Sequence, residues 1–401
     1  MTSLPRTFFG QPARGVVTLA FAAALASALA PAAARADDLA PTPAPSMDHG
    51  ATMDHGAAMH GDAMTMPPPP PATLSWTSLA AAGQFMFGYM PSFSGMAGNY
   101  IGSSKVSHDY IATTIPSGQT HTMTMMGKKV TMPTMLRIVP DSMTMQMQNF
   151  NAMYGVTDSL TIMVMGNYVQ KSMSMTTYSS MMGSTVLGSK SSTVDGLGDM
   201  MVGANYRIYR DAMNQIVVGL NLSLPTGSQT RQITMLSPMG SNMLMRAPYA
   251  MQTGTGTFDL LPAVIYTGLL DRWSWGLAYR GRYALDNNPE GYHFGDLSEF
   301  HGWGGYTWIP GVTTTAHIVG STQDHIRGAD PMIYGLSQNA NTDYYGGQRV
   351  TLLGGVELAG SLWGYSKSSL AVEAGGPVYQ HLNGPQLGQA WQVTASARVM
   401  F

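Results

Sequence analysis

The sequence predicts an all-β chain: an up-and-down antiparallel transmembrane β-barrel of about 12 strands, preceded by a disordered N-terminal extension. Three observations predict it. From Leu74 to Phe401, short segments repeatedly alternate apolar and polar side chains, which is the period of a strand with two different faces. Charged residues make up only 10% of the chain, against roughly 25% in soluble domains; Gly, Ser, Thr and Tyr carry the polarity instead. The connections between alternating segments are short and long by turns, as in bacterial barrels with short periplasmic turns and long outer loops.

The chain opens on an export signal. Arg6 and Arg14 precede an uncharged apolar stretch from Val16 to Ala30, and Ala34-Arg35-Ala36 forms a small-x-small cleavage site before Asp37-Asp38. That apolar stretch is too short for a membrane helix of about 20 residues. Residues 1–36 therefore read as a removed signal peptide, and the mature chain lies outside the cytoplasm. A net charge of -2 gives no electrostatic case for nucleic acid.

Residues 37–73 read as a disordered periplasmic segment of Pro, Ala, Met, His, Gly and Asp, ending in Pro67 to Pro71. Within it, MDHGATMDHGAAMHGDAMTM (47–66) repeats a His-containing tetrapeptide. Met47, Met53, Met59, Met64 and Met66 offer thioethers, and His49, His55 and His60 offer imidazoles, with Asp48, Asp54 and Asp62 among them. Thioethers favour Cu(I) and Ag(I), and imidazole suits Cu(II), Cu(I) and Zn(II). The absence of Cys removes thiolate sites, disulfides and Cys nucleophiles. The bland alternative is a low-complexity linker. The repeat favours a metal tether of modest affinity, because binding must order it. Its bound ion would be Cu(I), Cu(II) or Ag(I), its partners periplasmic copper proteins; no cofactor is required.

Residues 74–401 carry the barrel. Strands are expected near 83–91, 142–154, 159–175, 197–210, 214–225, 254–268, 271–285, 296–309, 311–323, 347–360, 367–379 and 390–401. The C-terminal stretch is the clearest case: Trp391, Val393, Ala395, Ala397 and Val399 share one face, and Gln392, Thr394, Ser396 and Arg398 the other. Tight turns are expected at Thr157-Asp158, Asp211-Ala212, Asp271-Arg272 and Pro310-Gly311, and the stretch 92–141 reads as a long outer loop with room for a further hairpin. A soluble sandwich would also alternate. Aromatics near strand ends (Trp273, Tyr283, Trp308 and Trp391) and charges of both signs on the opposite face favour a membrane barrel with a wet lumen.

Several stretches resemble the outer-membrane transporter family linked to the meta-pathway of phenol degradation. They are MTMQMQNFNAMYGVTDSLTIMVMGNYVQKSM (143–173), GLGDMMVGANYRIYR (196–210), LNLSLPTGS (220–228), GTGTFDLLPAVIYTG (254–268) and LAVEAGGPVYQHLNGPQL (370–387). The resemblance implies a β-barrel in the outer membrane of a Gram-negative bacterium, surrounded by outer-membrane lipid. The Met-rich strands and the MDHG leader are similar to those of copper-associated members. Phe401 looks like the terminal aromatic read by barrel-assembly machinery.

The polar face supplies lumen candidates: Arg280, Arg282, Glu299, His301, His317, Arg349, Glu357, Glu373 and Arg398. They are expected to form ion pairs that brace the barrel, or alternatively a selectivity constriction. His301 and His317 fall on sequential strands and can approach each other. Met163 and Met165 share a face with Thr161 and Asn167 and point inward, as an apolar lining or a soft-cation path. Met143, Met145 and Met147 alternate with Thr144, Gln146 and Gln148, so a polar lumen would turn these thioethers to lipid. No GxSxG, HExxH, P-loop or dinucleotide fingerprint occurs, and no enzyme is expected. The expected function is a channel or transporter with a copper- or silver-binding tract, in metal handling or export. The alternatives are a passive channel for hydrophobic or aromatic molecules, and a non-conducting scaffold or metal sink.

Overall fold

Eleven β elements make one closed wall. They are β1 (Phe85–Gly102), β2 (Ile138–Gly155), β3 (Leu160–Tyr178), β4 (Met200–Arg210), β5 (Asn214–Leu224), β6 (Asp259–Leu270), β7 (Trp273–Ala284), β8 (Leu297–Ile309), β9 (Val312–Gln323), β10 (Gly347–Leu362) and β11 (Tyr365–Met400). The computed structural model describes residues 70–125, 128–180, 183–362 and 365–401. The expected signal peptide and the Met/His tract lie outside the described residues.

Each wall element pairs antiparallel with its neighbours in chain order, and β11 closes the ring on β1, with Met86 opposite Met400 and Tyr89 opposite Ala397. The 36 residues of β11 would extend about 120 Å if straight, several times the height of a membrane barrel. It instead folds back on itself. Its first arm pairs with β10, from Leu362↔Tyr365 to Gly347↔Leu382, and its second arm pairs with β1. Gln380 Nε2 donates to the Gln389 carbonyl at 3.1 Å, and Arg398 Nε to Ser369 Oγ at 3.1 Å, between the arms. The wall thus has twelve spans. Residues 380–389, expected as a loop, are the crest of this fold-back.

The burial pattern is inverted relative to a soluble protein. In the second arm of β11, Thr394, Ser396 and Arg398 are buried while Trp391 is exposed. In β5, Asn221 is buried and Leu220 exposed. Polar side chains turn inward and apolar ones outward, because lipid rather than water surrounds the wall. An aromatic girdle rings the short-turn end: Trp273 lies 4.8 Å from Tyr306, Tyr306 lies 4.9 Å from Trp308, and Phe87 lies 6.0 Å from Phe401, ring to ring. No helix among the described residues is long and apolar enough to cross a membrane; the strands do the crossing.

The tight turns fall where the sequence places them. Between β6 and β7, Asp271 adopts φ 53°, and between β8 and β9 Gly311 adopts φ 83°. A side chain at Gly311 would meet the Ala359 carbonyl at 2.2 Å, so this turn needs glycine. At the opposite, loop end, β1 runs on to Gly102, well beyond its expected end. Helix α1 (His108–Thr114), capped by Ser107 Oγ accepting from the Tyr110 N–H, follows it, and then a hairpin of Pro116–Met125 and Lys128–Met135. A second hairpin, Gln232–Leu236 with Asn242–Arg246, stands beyond β5. The outer loops close over the mouth: Gln338 Nε2 donates to Asn99 Oδ1 at 2.7 Å, and Tyr249, Tyr292, Ile326 and Ile333 form their own core. Burial there pushes the Tyr249 and Tyr345 hydroxyls above the usual phenol range.

One expected orientation is reversed. Met143, Met145 and Met147 pair with Met96, Ser94 and Ser92 of β1 on the inner face, while Thr144 and Gln146 are exposed outside. This part of β2 lies at the loop end, where water rather than hydrocarbon bathes the outer surface, so the polar-inside rule loses its driving force.

Candidate channel lumen

The lumen is closed by the chain itself. Residues 72–80, which the sequence assigns to the extension and the start of the barrel, form a 3-10 turn (Ala72–Thr77) and a short extended run inside the wall. Leu74 and Ala80 are each 1% exposed and Trp76 is 3% exposed. The segment is hydrogen-bonded to strands around the ring. Ala80 N–H donates to Thr161 Oγ1 at 3.0 Å, Arg398 Nη1 to Ser78 Oγ at 2.7 Å, and Asn205 Nδ2 to the Trp76 carbonyl at 3.1 Å. Thr73 donates to Glu373 Oε2 through both its N–H (3.3 Å) and its hydroxyl (3.0 Å). These partners lie progressively further from the short turns, starting from the Ala82–Gly155 bridge at the rim. The plug therefore climbs the lumen as residue number falls. Around it pack Met86, Met153, Met163, Met201, Ala263, Ile265 and Trp303, with Met165 at their edge.

Three polar groupings line the inner wall. Arg398 Nη2 donates to Glu357 Oε1 at 3.1 Å, both groups being nearly buried. Arg280 pairs with Glu299, its Nε donating at 2.5 Å. His317 Nδ1 lies 2.5 Å from Glu373 Oε1, and its Nε2 lies 3.1 Å from His301 Nδ1. The carboxylate can only accept, so His317 Nδ1 carries a proton. In neutral rings His301 Nδ1 then donates to His317 Nε2, leaving His301 Nε2 as a bare, buried acceptor 4.0 Å from Glu299 Oε2. This relay supports the Glu373 carboxylate that holds Thr73 of the plug. No cluster of three or more His, Asp or Glu able to hold a metal occurs among the described residues.

The structure brings Arg280 with Glu299, His301 with His317 and Glu373, and Glu357 with Arg398. Among the described residues it gives neither Arg282 nor Arg349 a carboxylate partner within salt-bridge distance: Arg282 lies 5.9 Å over the Phe294 ring, and Arg349 Nε is buried with no partner among them. Met163 Sδ lies 3.9 Å from Asn205 Nδ2 in the plug floor. Met47, His49, Met53, His55, Met59, His60, Met64 and Met66 lie outside the described residues. Sequence reasoning missed the plug residues, Asn205, and Lys171, whose Nζ donates to the Gln252 carbonyl at 2.6 Å. The only signal for the plug was LSWTSLAAAG (74–83), apolar without a strand period.

The wall is interrupted at one height. The ladder between β3 and β4 covers Leu160 to Met165 only, and from Tyr168 upward β3 pairs instead with Val186–Leu197. Gly198 and Asp199 occupy the break. Hydrogen bonds still cross it: the Gly198 N–H donates to the Asn167 carbonyl at 3.0 Å and Asn167 Nδ2 to the Asp199 carbonyl at 2.8 Å, so the break is a one-residue bulge, with Gly198 to Met200 facing Gly166 and Asn167. β5 makes its last pair with β4 at Met200↔Leu224. A cavity of about 250 Å³ opens there on the outer face, lined by Phe150, Gly166, Tyr168, Leu197, Gly198 and Met200 among others.

No family model matches the chain, and no curated protein does. Solved structures do. The COG4313 outer membrane channel from Pseudomonas putida F1 aligns at 13% identity over 80% of this chain and 96% of its own, with a TM-score of 0.49. The Ralstonia pickettii toluene transporter TbuX aligns at 12% over 84% and 92%, with a TM-score of 0.37. A Pseudomonas aeruginosa FadL homologue aligns at 10% over 79% and 89%, with a TM-score of 0.36.

Proposed function

We propose that this chain is an outer-membrane channel for small apolar molecules, with the short turns and the plug facing the periplasm. The observation that carries the reading is the break in the wall at Gly198-Asp199. An axial route for water and ions is filled by Leu74, Trp76 and their Met neighbours. We place the route of an uncharged solute at the apolar outer-face cavity beside this bulge, through the wall rather than past the plug. Gly166 is its open wall: a Cβ there meets nothing within 4 Å. Gly166→Trp should therefore start from open space and put an indole into the cavity. Cells expressing this variant should lose most uptake of a labelled apolar solute relative to wild type, at equal levels of folded barrel. Undiminished uptake would refute the route.

A second reading gives the barrel a soft cation, Cu(I) or Ag(I), collected by the tract at 47–66 and handed to or from periplasmic copper proteins. The observation favouring it is that thioethers, not only aliphatic groups, line the lumen: Met86, Met153 and Met163 below, Met143, Met173 and Met175 above. Silver accumulation in proteoliposomes containing the full chain, lost on deleting 47–66, is its expected result. A barrel that passes neither solute is a scaffold or metal sink. No enzymatic step belongs to any of these readings.

A further inference from the structure

Pairing register sorts the inner face of β1, β2 and β3 into levels, each two residues above the last. The lowest level joins Met86, Met153 and Met163, with Met400 of β11 beside Met86. The next holds Met165 and, on β4, its partner Met201. Above it stands Met90, paired with Asn149. Then comes Met147 between Ser92 and Val169, and then Met145 between Ser94 and Lys171. The highest level joins Met96, Met143 and Met173. The two end levels each pack as one cluster. Every level, from the short-turn rim to the outer cap, carries a thioether. Successive levels are ~6.8 Å apart along a strand, a gap that flexible Met side chains can close.

Packing alone does not account for this choice of residue. The three strands offer eighteen inward positions at these levels, and ten of them are Met; Val169 is the only other one with an apolar side chain. Across the lumen, β6 to β10 contain no Met at all, and their buried apolar positions take residues such as Ala263, Ile265 and Leu353. Aliphatic side chains fill a core with better-defined rotamers than Met, so a wall needing only apolar filler would use them on both sides. The same eighteen positions hold no Asp or Glu, so a hard cation finds no carboxylate there. The sulfurs turn toward partners inside the barrel: Met90 Sδ accepts from Ser75 Oγ at 3.4 Å, and Met173 Sδ from Asn339 Nδ2 at 3.2 Å. Thioethers without carboxylate or thiolate are a ligand set for a soft cation.

We infer that the inner face of β1 to β3 is a ladder of thioether sites for Cu(I) or Ag(I), each ion held between thioethers of one level or of two adjoining levels and handed to the next. The ladder deepens the soft-cation reading given above and rests on it for the supply of the ion. It runs up the wall against which the plug packs, so a dehydrated ion needs no open pore. Lys171 stands beside Met145, but its charge is met by the Gln252 carbonyl, which accepts from Nζ at 2.6 Å.

The test is nuclear magnetic resonance of the full chain in detergent, labelled with carbon-13 at the Met methyl groups and titrated with Ag(I). The methyl resonances of Met145, Met147 and Met173, assigned from single Leu variants, should shift on adding Ag(I), and Na(I) should shift none of them. Shifts confined to the methyl groups of residues 47–66, or no shifts, would overturn the inference. Flux of Ag(I) into proteoliposomes separates the ladder from the reading it rests on. Met145→Leu and Met147→Leu each remove the only thioether of a level and should slow the flux at least tenfold, whereas Met332→Leu, in an exposed outer loop, should leave it unchanged. Shifts along the ladder without flux refute the transport reading and keep the sites. Flux that neither Leu variant slows refutes the ladder and keeps the transport reading. Leu and Met are close in volume, and folding of each variant is read from its heat-dependent gel mobility. Should one of the two fail to fold, Met90→Leu removes the only thioether of another level and decides in its place.

Discussion

Arg398 ties the wall to itself and to the plug, and removing it should be among the most damaging single changes in the barrel. Its guanidinium contacts Glu357 Oε1 at 3.1 Å, Ser369 Oγ at 3.1 Å and Ser78 Oγ at 2.7 Å. Glu357 is 5% exposed and Arg398 7% exposed. Arg398→Met leaves Glu357 as a buried charge without a counter-ion, a situation that costs ~3–5 kcal/mol. Glu357→Leu strands Arg398 at a similar cost of ~3–5 kcal/mol. The double variant strands neither charge, and only the two serine hydroxyls lose a partner, about 1–3 kcal/mol each at most. The singles should therefore sum to well above the double, with a coupling of at least ~2 kcal/mol. Urea unfolding of the micelle-embedded protein, followed by tryptophan fluorescence, measures all four corners of the cycle. Additivity within ~0.5 kcal/mol would refute the claim that these side chains form one buried pair.

Other expectations follow from the same geometry. Gly198→Ala puts a Cβ 2.0 Å from Asn167 Oδ1; it should displace the amide that spans the wall break, lowering the unfolding midpoint and raising protease sensitivity between Leu197 and Met200. Glu373→Ala removes the acceptor for both Thr73 donors, so amide exchange at Thr73 and Leu74 should speed up by at least tenfold while that of the β2–β3 ladder is unchanged. At the β4–β5 turn, the Tyr209 hydroxyl and the Met213 and Asn214 N–H groups hold the Asp211 carboxyl down to about 2, below its ordinary 3.8. A depressed carboxylate contributes its stabilisation in full above the ordinary value and loses it as pH falls through the depressed one. Exchange protection of the Met213 and Asn214 amides should then persist at pH 4 and vanish near pH 2; loss already at pH 5 would contradict the turn.

Most of the wall was legible because a period of two leaves little freedom. Once Trp391, Val393 and Val399 share a face, Arg398 must take the other, and a one-residue slip would turn every side chain over. Asp271 and Gly311 mark turns because few residues tolerate positive φ. The paired His301 and His317 were legible for the same reason: sequential strands joined by a two-residue turn fix their own register. The plug was not legible. Leu74, Trp76 and Ala80 are buried by contacts to residues far along the chain, and no local pattern encodes such contacts. Met143 to Met147 misled because alternation shows that two faces differ without showing which solvent each meets.

The proposed route can be tested directly because the chain has no cysteine. Ala80 N–H lies 3.0 Å from Thr161 Oγ1, so cysteines at 80 and 161 are neighbours, and a barrel in which loss of free thiol shows them joined on oxidation has its plug tied to the wall. If apolar solutes leave through the wall break, uptake by the Ala80→Cys/Thr161→Cys barrel should be the same oxidised and reduced. Uptake that stops on oxidation and returns on reduction would contradict the account, since the solute would then be passing where the plug stands.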